Sequence, residues 1–334
     1  MSQARDEILQ RLRINCTECS LGLPLSHGAY GSVRWAMVDG MECVAKCAKP
    51  KMAGADAFLR AEAEINAQLR EAAPADDTHL APFLGSASVA GCPYLVWRAC
   101  PGVHGTLSRF LEPPQLPRLA RALGTVPHDH DANLTPDEHA VLARTLLREL
   151  LSALLVVHGC GVVSRDVKPD NILVDDECHG LRLIDFGAAC AVGQPGARCA
   201  GTAAYMPPEG AVTPAAPGAY DIYSAALVWL RVVVPELAPR AALEEFRQAL
   251  RRFGEEERGA SASGGADATH ARLEAWLLPW LMADAGGWDD AEARRAAPVL
   301  ARMLAASPEE RCSAAEALAH RYLSSPTDTR RWMM

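Results

Sequence analysis

The side chains that could do chemistry form one ordered series along this chain of 334 residues. A glycine-rich segment at 25–33 (LSHGAYGSV) comes first, and Lys46 follows 13 residues after Val33 in a predicted strand. Carboxylates and an amide then occur in 163–174 (VSRDVKPDNILV) and 183–187 (LIDFG). Transfer of a phosphoryl group from ATP needs a cradle for the phosphates, a cation, metal ions and a carboxylate that orients the acceptor hydroxyl. The series offers these four parts in order.

Lys46 needs an acidic partner, because an unpaired ammonium group on a strand that enters the protein interior is costly. The next predicted helix, at 56–71, supplies two candidates. Glu62 fits best, because the apolar residues three and seven positions later share its face of the helix. Glu64 remains the alternative. We therefore expect a Lys46–Glu62 ion pair.

The strongest signal is the succession of three segments, 163–174, 183–187 and 201–209 (GTAAYMPPE). They resemble the H-R-D-x-K-P-x-N, D-F-G and A-P-E motifs of the eukaryotic protein kinase family. The resemblance extends over about 21–323, and several motifs in the family's order and spacing exclude coincidence. It implies an α+β, bilobal protein-kinase fold with a small β-rich N-lobe and a larger, mainly helical C-lobe.

The resemblance implies a role for each matched residue of these segments. Asp166 would accept or orient the proton of the attacking hydroxyl, and Lys168 would stabilise the transferring phosphoryl group. Asn171 and Asp185 would hold two Mg²⁺ ions. A lysine two residues after the catalytic aspartate is typical of serine/threonine kinases. The implied activity is that of a serine/threonine protein kinase that uses ATP and Mg²⁺ and has a protein substrate.

The resemblance also implies a nucleotide site between the lobes. Its residues would be Ser26, Gly28, Gly31, Val33, Val44, Lys46, Glu62, Trp97, Arg98, Cys100 and Leu173. The glycines would let backbone amides approach the phosphates without a side-chain clash. Trp97 falls at the gatekeeper position, where its bulk should close the pocket behind adenine.

Two residues outside the nucleotide site resemble structural positions of the family. Asp221 matches an aspartate that braces the catalytic loop from below. Arg311 matches an arginine that pairs with the glutamate of the A-P-E motif, here Glu209. We expect the loss of Arg311 to destabilise the second lobe, because breaking one side of a buried ion pair is costly.

Four residues depart from the family pattern. Ser26 replaces the first glycine of the phosphate loop, and Val44 stands where alanine is usual. Ser164 and Asn66 belong to a stack of side chains around Phe186, in which the position of Asn66 is normally apolar. Two polar members weaken this stack unless their hydrogen bonds are satisfied locally. The departures support an alternative hypothesis, a pseudokinase or nucleotide-binding scaffold that regulates a partner. None of them removes a group that touches phosphate or metal, so an active kinase is the leading hypothesis.

An arginine beside the catalytic aspartate, here Arg165, usually implies control by a phosphate on the activation loop. Between Gly187 and Gly201, however, the sequence has no serine, threonine or tyrosine. Arg198 occupies the usual primary site of phosphorylation. We therefore predict activity without phosphorylation of this loop.

The segment 183–190 (LIDFGAAC) resembles that of the chloroplast thylakoid kinases, which phosphorylate light-harvesting proteins during state transitions. The resemblance implies antenna proteins as substrates and the stromal side of the chloroplast as the location; otherwise the expected location is cytoplasmic. The chain would then be the catalytic part of a longer protein. The oligomeric state stays open.

The elements that must position these residues divide the chain into two lobes. Residues 21–98 contain short apolar runs broken by turns, and 99–325 are mainly helical. The clearest helix begins at Thr135 with a capping box to Glu138 and ends at Gly159. The other expected boundaries are an N-terminal extension at 1–20, insertions near 112–134 and 235–290, and a tail at 326–334.

Composition excludes several classes of protein. The formal net charge of −8 argues against a nucleic-acid partner, because neutralising phosphates requires a basic surface. The eleven cysteines are scattered and odd in number, which indicates a reducing, intracellular compartment. No stretch approaches the roughly 20 apolar residues of a spanning helix, so we expect no membrane segment and a soluble chain.

Overall fold

The computed structural model describes eight segments of the chain. They are 7–27, 31–49, 52–111, 115–130, 132–194, 201–260, 266–282 and 289–324. Gly28 and Arg198, two positions singled out in the sequence, lie outside them.

The first lobe is a five-stranded antiparallel sheet with one long helix. The sheet has the order β1-β2-β3-β5-β4, and its neighbouring strands are antiparallel throughout. The elements of this lobe are α1 (Glu7–Arg11), β1 (Cys19–His27), β2 (Gly31–Val38), β3 (Met41–Ala48), α2 (Ala55–Ala72), β4 (Phe83–Val89) and β5 (Cys92–Arg98).

Alternation along β3 separates the two faces of this sheet. Cys43 and Ala45 are fully buried on one face, while Val44 and Lys46 lie on the other, because successive side chains of a strand point to opposite sides. Helix α2 packs Leu59 against the sheet in a small apolar cluster that also contains residues of β4 and β5. The sheet and α2 therefore position Lys46 on a strand that faces the helix.

The chain before β1 also packs onto this lobe. Leu9 and Leu12 are buried in the same apolar cluster as Leu59. The Ile14 N–H donates to the Ser86 carbonyl at 2.9 Å, and the Ser86 N–H donates to the Leu12 carbonyl at 2.8 Å. Residues 7–14 of the predicted extension thus cover the edge strand β4.

The second lobe is mainly helical, so the predicted α+β bilobal kinase fold is confirmed. Its strands are β6 (Val103–Thr106), β7 (Val162–Val163), β8 (Ile172–Asp175), β9 (Gly180–Leu183) and β10 (Cys190–Ala191). Its helices are α3 (Leu116–Ala122), α4 (Pro136–Gly159), α5 (Ala219–Val233), α6 (Arg240–Ala260), α7 (Ala266–Leu281), α8 (Asp290–Leu304), α9 (Ala314–Leu318) and α10 (Arg321–Ser324).

Helices α4 and α5 form the centre of this lobe. The predicted start of α4 is confirmed, because Thr135 and Glu138 form a capping box in which each side chain accepts from the other's backbone N–H. Every residue of α5 is buried. The indole N–H of Trp229, on α5, donates to the Ala143 carbonyl of α4 at 2.7 Å. None of the helices in the described residues is long and apolar enough to cross a membrane.

The lobes are joined behind the cleft by the segment between α2 and β4. The Leu183 N–H donates to the His79 carbonyl at 2.7 Å, and the Ala81 N–H donates to the Leu183 carbonyl at 3.3 Å. The amide of Gln68, on α2, donates to the Cys160 carbonyl at 2.7 Å. These bonds connect α2 directly to the second lobe.

Candidate active site

Lys46 lies between two carboxylates at the edge of the first lobe. Its Nζ is 2.7 Å from Glu62 Oε2 and 2.7 Å from Asp185 Oδ1. Glu62 is 3% exposed, whereas Glu64 lies on the exposed face of α2. The helical periodicity thus identified the correct partner, and the contact to Asp185 is an addition that the sequence did not suggest.

The charges of this cluster are set by burial and by one another. Burial raises the pKa of Glu62 to about 7, against the attraction of the Lys46 ammonium. Burial works to lower the pKa of Lys46, but the two carboxylates outweigh it and the pKa is raised. Partial burial works to raise the pKa of Asp185, but Lys46 outweighs it and the pKa is lowered. Lys46 and Asp185 are therefore both charged at neutral pH.

Close backbone approach makes room for the cluster. A Cβ on Gly187 would lie 3.2 Å from Asp185 Oδ1, 3.4 Å from Glu62 Oε2 and 3.6 Å from Lys46 Nζ. Asp185 itself has a φ of 60°, in the left-handed region that non-glycine residues rarely adopt. The backbone turn at 185–187 is therefore fitted to the three charged groups.

The Asp166 carboxylate is held by three groups in the catalytic loop and the segment after it. Lys168 Nζ donates to Asp166 Oδ2 at 2.7 Å, and the Asn171 amide donates to the same oxygen at 3.0 Å. The Thr202 N–H donates to Asp166 Oδ1 at 2.8 Å, and the Thr202 hydroxyl accepts from Lys168 at 2.8 Å. The structure thus brings together the two predicted catalytic residues and fixes the direction of the carboxylate.

Asp221 braces this loop from below, as the sequence predicted. It is fully buried and accepts from the N–H groups of Ser164 and Arg165, each at 2.8 Å. His158, at the end of α4, lies 3.0 Å from the same carboxylate and was not expected there. Arg165 has a φ of 62°, so these bonds hold a backbone conformation that is costly by itself.

The predicted pair of Arg311 and Glu209 is present and bidentate. The two contacts measure 2.7 and 2.8 Å, and the Arg311 side chain is fully buried. Its Nε also donates to the Ala305 carbonyl at 2.8 Å. The pair therefore fixes the end of the segment that begins at Thr202.

Two further buried arginines hold this segment, and sequence reasoning missed both. Arg231 of α5 donates to the Tyr205 hydroxyl at 2.6 Å. Arg247 of α6 donates to the Met206 carbonyl at 2.8 Å. The signal that could have indicated them is an arginine at a position that helical periodicity places on the apolar face of its helix. Helix α6 lies in the predicted insertion near 235–290, so part of that insertion contacts the active-site segment.

Strand pairing gathers most of the predicted nucleotide-site residues of the first lobe. Ser26 pairs with Val33, Val33 with Lys46, and Val44 with Trp97. Paired residues of antiparallel strands share a face of the sheet. These five residues therefore line one side of the sheet, the side to which Lys46 belongs.

Of the other nucleotide-site residues that the structure describes, Gly31, Arg98 and Cys100 lie in or directly after strands of this sheet, and Leu173 lies in the second lobe. Gly31 begins β2, where a Cβ would come within 2.8 Å of the Cys47 carbonyl, so glycine permits the close strand approach. Leu173 lies on β8 of the second lobe, and Cys100 follows β5, where burial raises the pKa of its thiol. Arg98 pairs with Cys43 on the opposite face from Trp97, so only its backbone belongs to the cleft side.

The two residues predicted to bind metal are neighbours in space. The Ile184 N–H donates to the Asn171 carbonyl at 3.0 Å, which sets Asp185 beside Asn171. The Asp185 side chain is 45% exposed. Within the described residues, no group of three or more His, Cys, Asp or Glu side chains could hold a metal. One carboxylate and one amide oxygen fit Mg²⁺, which usually binds through one or two protein oxygens together with substrate phosphates and water.

The two-lobed fold and this arrangement of charged residues define a protein kinase. Residues 116–323 match the family model described as protein kinase domain. The match covers more than half of the chain, and the chain belongs to this family.

Individual relatives agree with this assignment, and each is named as a kinase. The chain is 29% identical over 241 residues to serine/threonine-protein kinase STN8, chloroplastic, of Arabidopsis thaliana. This alignment covers 61% of the chain and 46% of that protein. The chain is 44% identical over 71 residues to the maternal embryonic leucine zipper kinase of Danio rerio, covering 20% of this chain and 10% of that protein. The matched parts thus span less than half the length of these curated relatives.

A solved structure has the same fold over nearly the whole chain. It is the crystal structure of an Stt7 homolog from Micromonas algae soaked with ATP, with a TM-score of 0.70 and 21% sequence identity. The superposition covers 94% of each chain. This likeness includes the first lobe, which lies outside the family match.

Proposed function

We propose that this chain transfers the γ-phosphoryl group of ATP to a serine or threonine hydroxyl of a protein. The observation that supports the proposal is that two clusters of charged and polar side chains lie on adjacent backbone segments. Asp166, Lys168 and Thr202 form one, and Lys46 with Asp185 belongs to the other. The hydrogen bond between the residue before Asp185 and the Asn171 carbonyl joins them.

Each side chain has a role that follows from its contacts. Asp166, oriented by Lys168 and the Thr202 N–H, accepts or directs the proton of the attacking hydroxyl. Lys46, kept charged by its carboxylates, binds phosphate oxygens. Asn171 and Asp185 would hold Mg²⁺, which supplies positive charge to the phosphate oxygens as negative charge develops there.

The alternative hypothesis, a pseudokinase scaffold, has less support. A scaffold needs neither an oriented Asp166 nor a charged Lys46 within reach of Asp185. The polar side chain of Asn66, which weakened the case for activity, is hydrogen-bonded to the Glu62 carbonyl at 2.8 Å and to Trp97 at 3.2 Å. The Asn66 side chain is therefore paired through both its amide nitrogen and its amide oxygen.

The substrate proposal is narrower. We propose light-harvesting antenna proteins as acceptors and the chloroplast as the compartment. The support is the likeness of the segment 183–190 to the thylakoid kinases and the relative named as chloroplastic.

The test is phosphoryl transfer by the purified chain with labelled ATP and Mg²⁺. Acceptors are a generic basic protein and isolated antenna proteins, and Asp166→Asn is the control. Transfer that is lost in the variant supports the kinase function. Equal label with both proteins would show contamination and leave the scaffold hypothesis standing. Label on the basic protein without any on antenna proteins would refute the substrate proposal alone.

A further inference from the structure

Two residues that are unusual for the family contact each other behind the nucleotide site. Trp97 is a bulky residue at the position that borders adenine, and Asn66 is a polar residue of α2 at a position that is normally apolar. They lie 31 residues apart in the sequence, and the Trp97 indole N–H donates to Asn66 Oδ1 at 3.2 Å. The amide of Asn66 donates in turn to the Glu62 carbonyl at 2.8 Å.

These bonds connect the sheet to the turn of α2 that carries Glu62. Asn66 is 3% exposed and Glu62 is equally buried, so the bond between them is shielded from water, and the bond to the half-buried Trp97 is partly shielded. The carboxylate of Glu62 then contacts Lys46, and Lys46 contacts Asp185. A continuous series of hydrogen bonds and one helical turn thus runs from Trp97 to Asp185.

Apolar packing holds α2 on both sides of Asn66: Ile65 and Leu69 belong to the main core, and Ala63 and Ala67 belong to the small cluster of the first lobe. Asn66 borders a cavity of about 230 Å³ that lies between α2, the segment before β4 and Phe186. Trp97 contacts the Phe83 ring with centroids 5.4 Å apart, but this contact is to β4 and not to the helix. At Asn66 itself packing leaves space on one side, so the directional bonds of its amide add a constraint on this turn that apolar packing there does not supply.

We infer that Trp97 and Asn66 form a polar clip that positions α2, and through it Glu62 and Lys46, for nucleotide binding. The inference rests on the proposed function for its kinetic consequence, but its effect on nucleotide affinity can be measured without any transfer. Both residues are positioning residues, since they act through Glu62.

Loss of one partner should be worse than loss of both. Trp97→Phe leaves the buried Asn66 oxygen without its donor, and Asn66→Leu leaves the N–H of the half-buried indole without its acceptor. A buried group without a partner disfavours the conformation that buries it, so α2 spends less time in the position shown. The double variant Trp97→Phe with Asn66→Leu removes both polar groups and restores an apolar contact.

The experiment is a double-mutant cycle that measures the Kd of a fluorescent ATP analogue, with KM for ATP and kcat determined on the same proteins. Each single variant is expected to weaken nucleotide binding about five- to tenfold, and the double variant to return within about threefold of the original chain. KM for ATP should change with Kd.

Trp229→Phe is the matched control, because it removes an indole hydrogen bond, to Ala143, that joins α5 to α4 within the second lobe. It should lower the melting temperature and leave nucleotide affinity unchanged. If Trp97→Phe fails to fold, the nucleotide affinity of Asn66→Leu is compared with that of Trp229→Phe, and only the former should be weakened.

Three outcomes would overturn the clip: single variants that bind nucleotide normally, effects that simply add in the double variant, or an equal loss of affinity in Trp229→Phe. A chain that binds the analogue as described but transfers no phosphate would instead refute the proposed function and uphold the clip.

Discussion

Replacement of Arg311 by alanine should destabilise the second lobe by several kcal/mol. The guanidinium is fully buried, forms two short contacts with Glu209, and donates to the Ala305 carbonyl as well. It also lies over the Tyr223 ring, 4.8 Å from its centroid. Truncation leaves a carboxylate and a carbonyl without their donor, and removal of one member of a buried pair commonly costs about 3 to 5 kcal/mol.

Thermal unfolding followed by circular dichroism measures this cost. For domains of this size, 1 kcal/mol lowers the melting temperature by about 2 to 4 °C, so we expect a fall of roughly 6 to 20 °C. Arg311→Lys keeps the charge but cannot form the bidentate contact. Its melting temperature should therefore lie between those of the original chain and of Arg311→Ala. The values of kcat and KM, measured at a temperature where all three proteins are folded, should change much less than stability.

The result that would refute this reasoning is a melting temperature of Arg311→Ala within about 2 °C of the original chain. A normal melting temperature together with lost activity would show that the pair acts on catalysis and not on the stability of the lobe. Glu209→Gln serves as the reciprocal variant, since it removes the charge and leaves one acceptor oxygen for the two guanidinium donors.

Three further predictions concern pH, the catalytic loop and regulation. Burial lowers the pKa of His139 to about 4, against 6.5 for a free imidazole, so the unfolded chain binds a proton that the folded chain refuses; the free energy of unfolding should fall by up to about 3 kcal/mol between pH 6.5 and 4, and His139→Gln should flatten that fall in urea titrations. Thr202→Val removes the acceptor of Lys168 but keeps the N–H bond to Asp166, so kcat should drop about tenfold at unchanged KM for ATP, while Thr202→Ser should retain kcat. The Nε of Arg165 donates to the Ala188 carbonyl at 2.6 Å, so this arginine has a partner without a phosphate on the loop. Phosphatase treatment should therefore leave kcat unchanged, and a loss of activity would contradict the prediction of activity without loop phosphorylation.

Local sequence patterns were sufficient for the parts of the site that depend on contacts between residues close in the sequence. The catalytic loop is one contiguous segment, so Asp166, Lys168 and Asn171 could be identified together. The capping box fixed the start of α4 because its two residues satisfy each other's backbone within one turn. Helical periodicity separated Glu62 from Glu64 because only one of them lies on the buried face of α2.

Long-range contacts were decided by tertiary packing. Nothing in the sequence indicates that Trp97 donates to Asn66, that His158 reaches Asp221 or that Arg247 holds the Met206 carbonyl. Each of these bonds joins residues on different elements, and their partners depend on how those elements cross. Residues 12–14 likewise carry no alternating strand pattern, yet they hydrogen-bond to Ser86 because β4 is an edge strand of the sheet.

The sequence by itself determined which groups can do chemistry, because the motifs carry residue types at spacings that one turn or one hairpin fixes. The tertiary structure alone decided which of these groups meet and what holds them there. The reason is physical: a strand or helix sets the direction of its own side chains, whereas the neighbour that satisfies a buried polar group is chosen by the packing of the whole lobe.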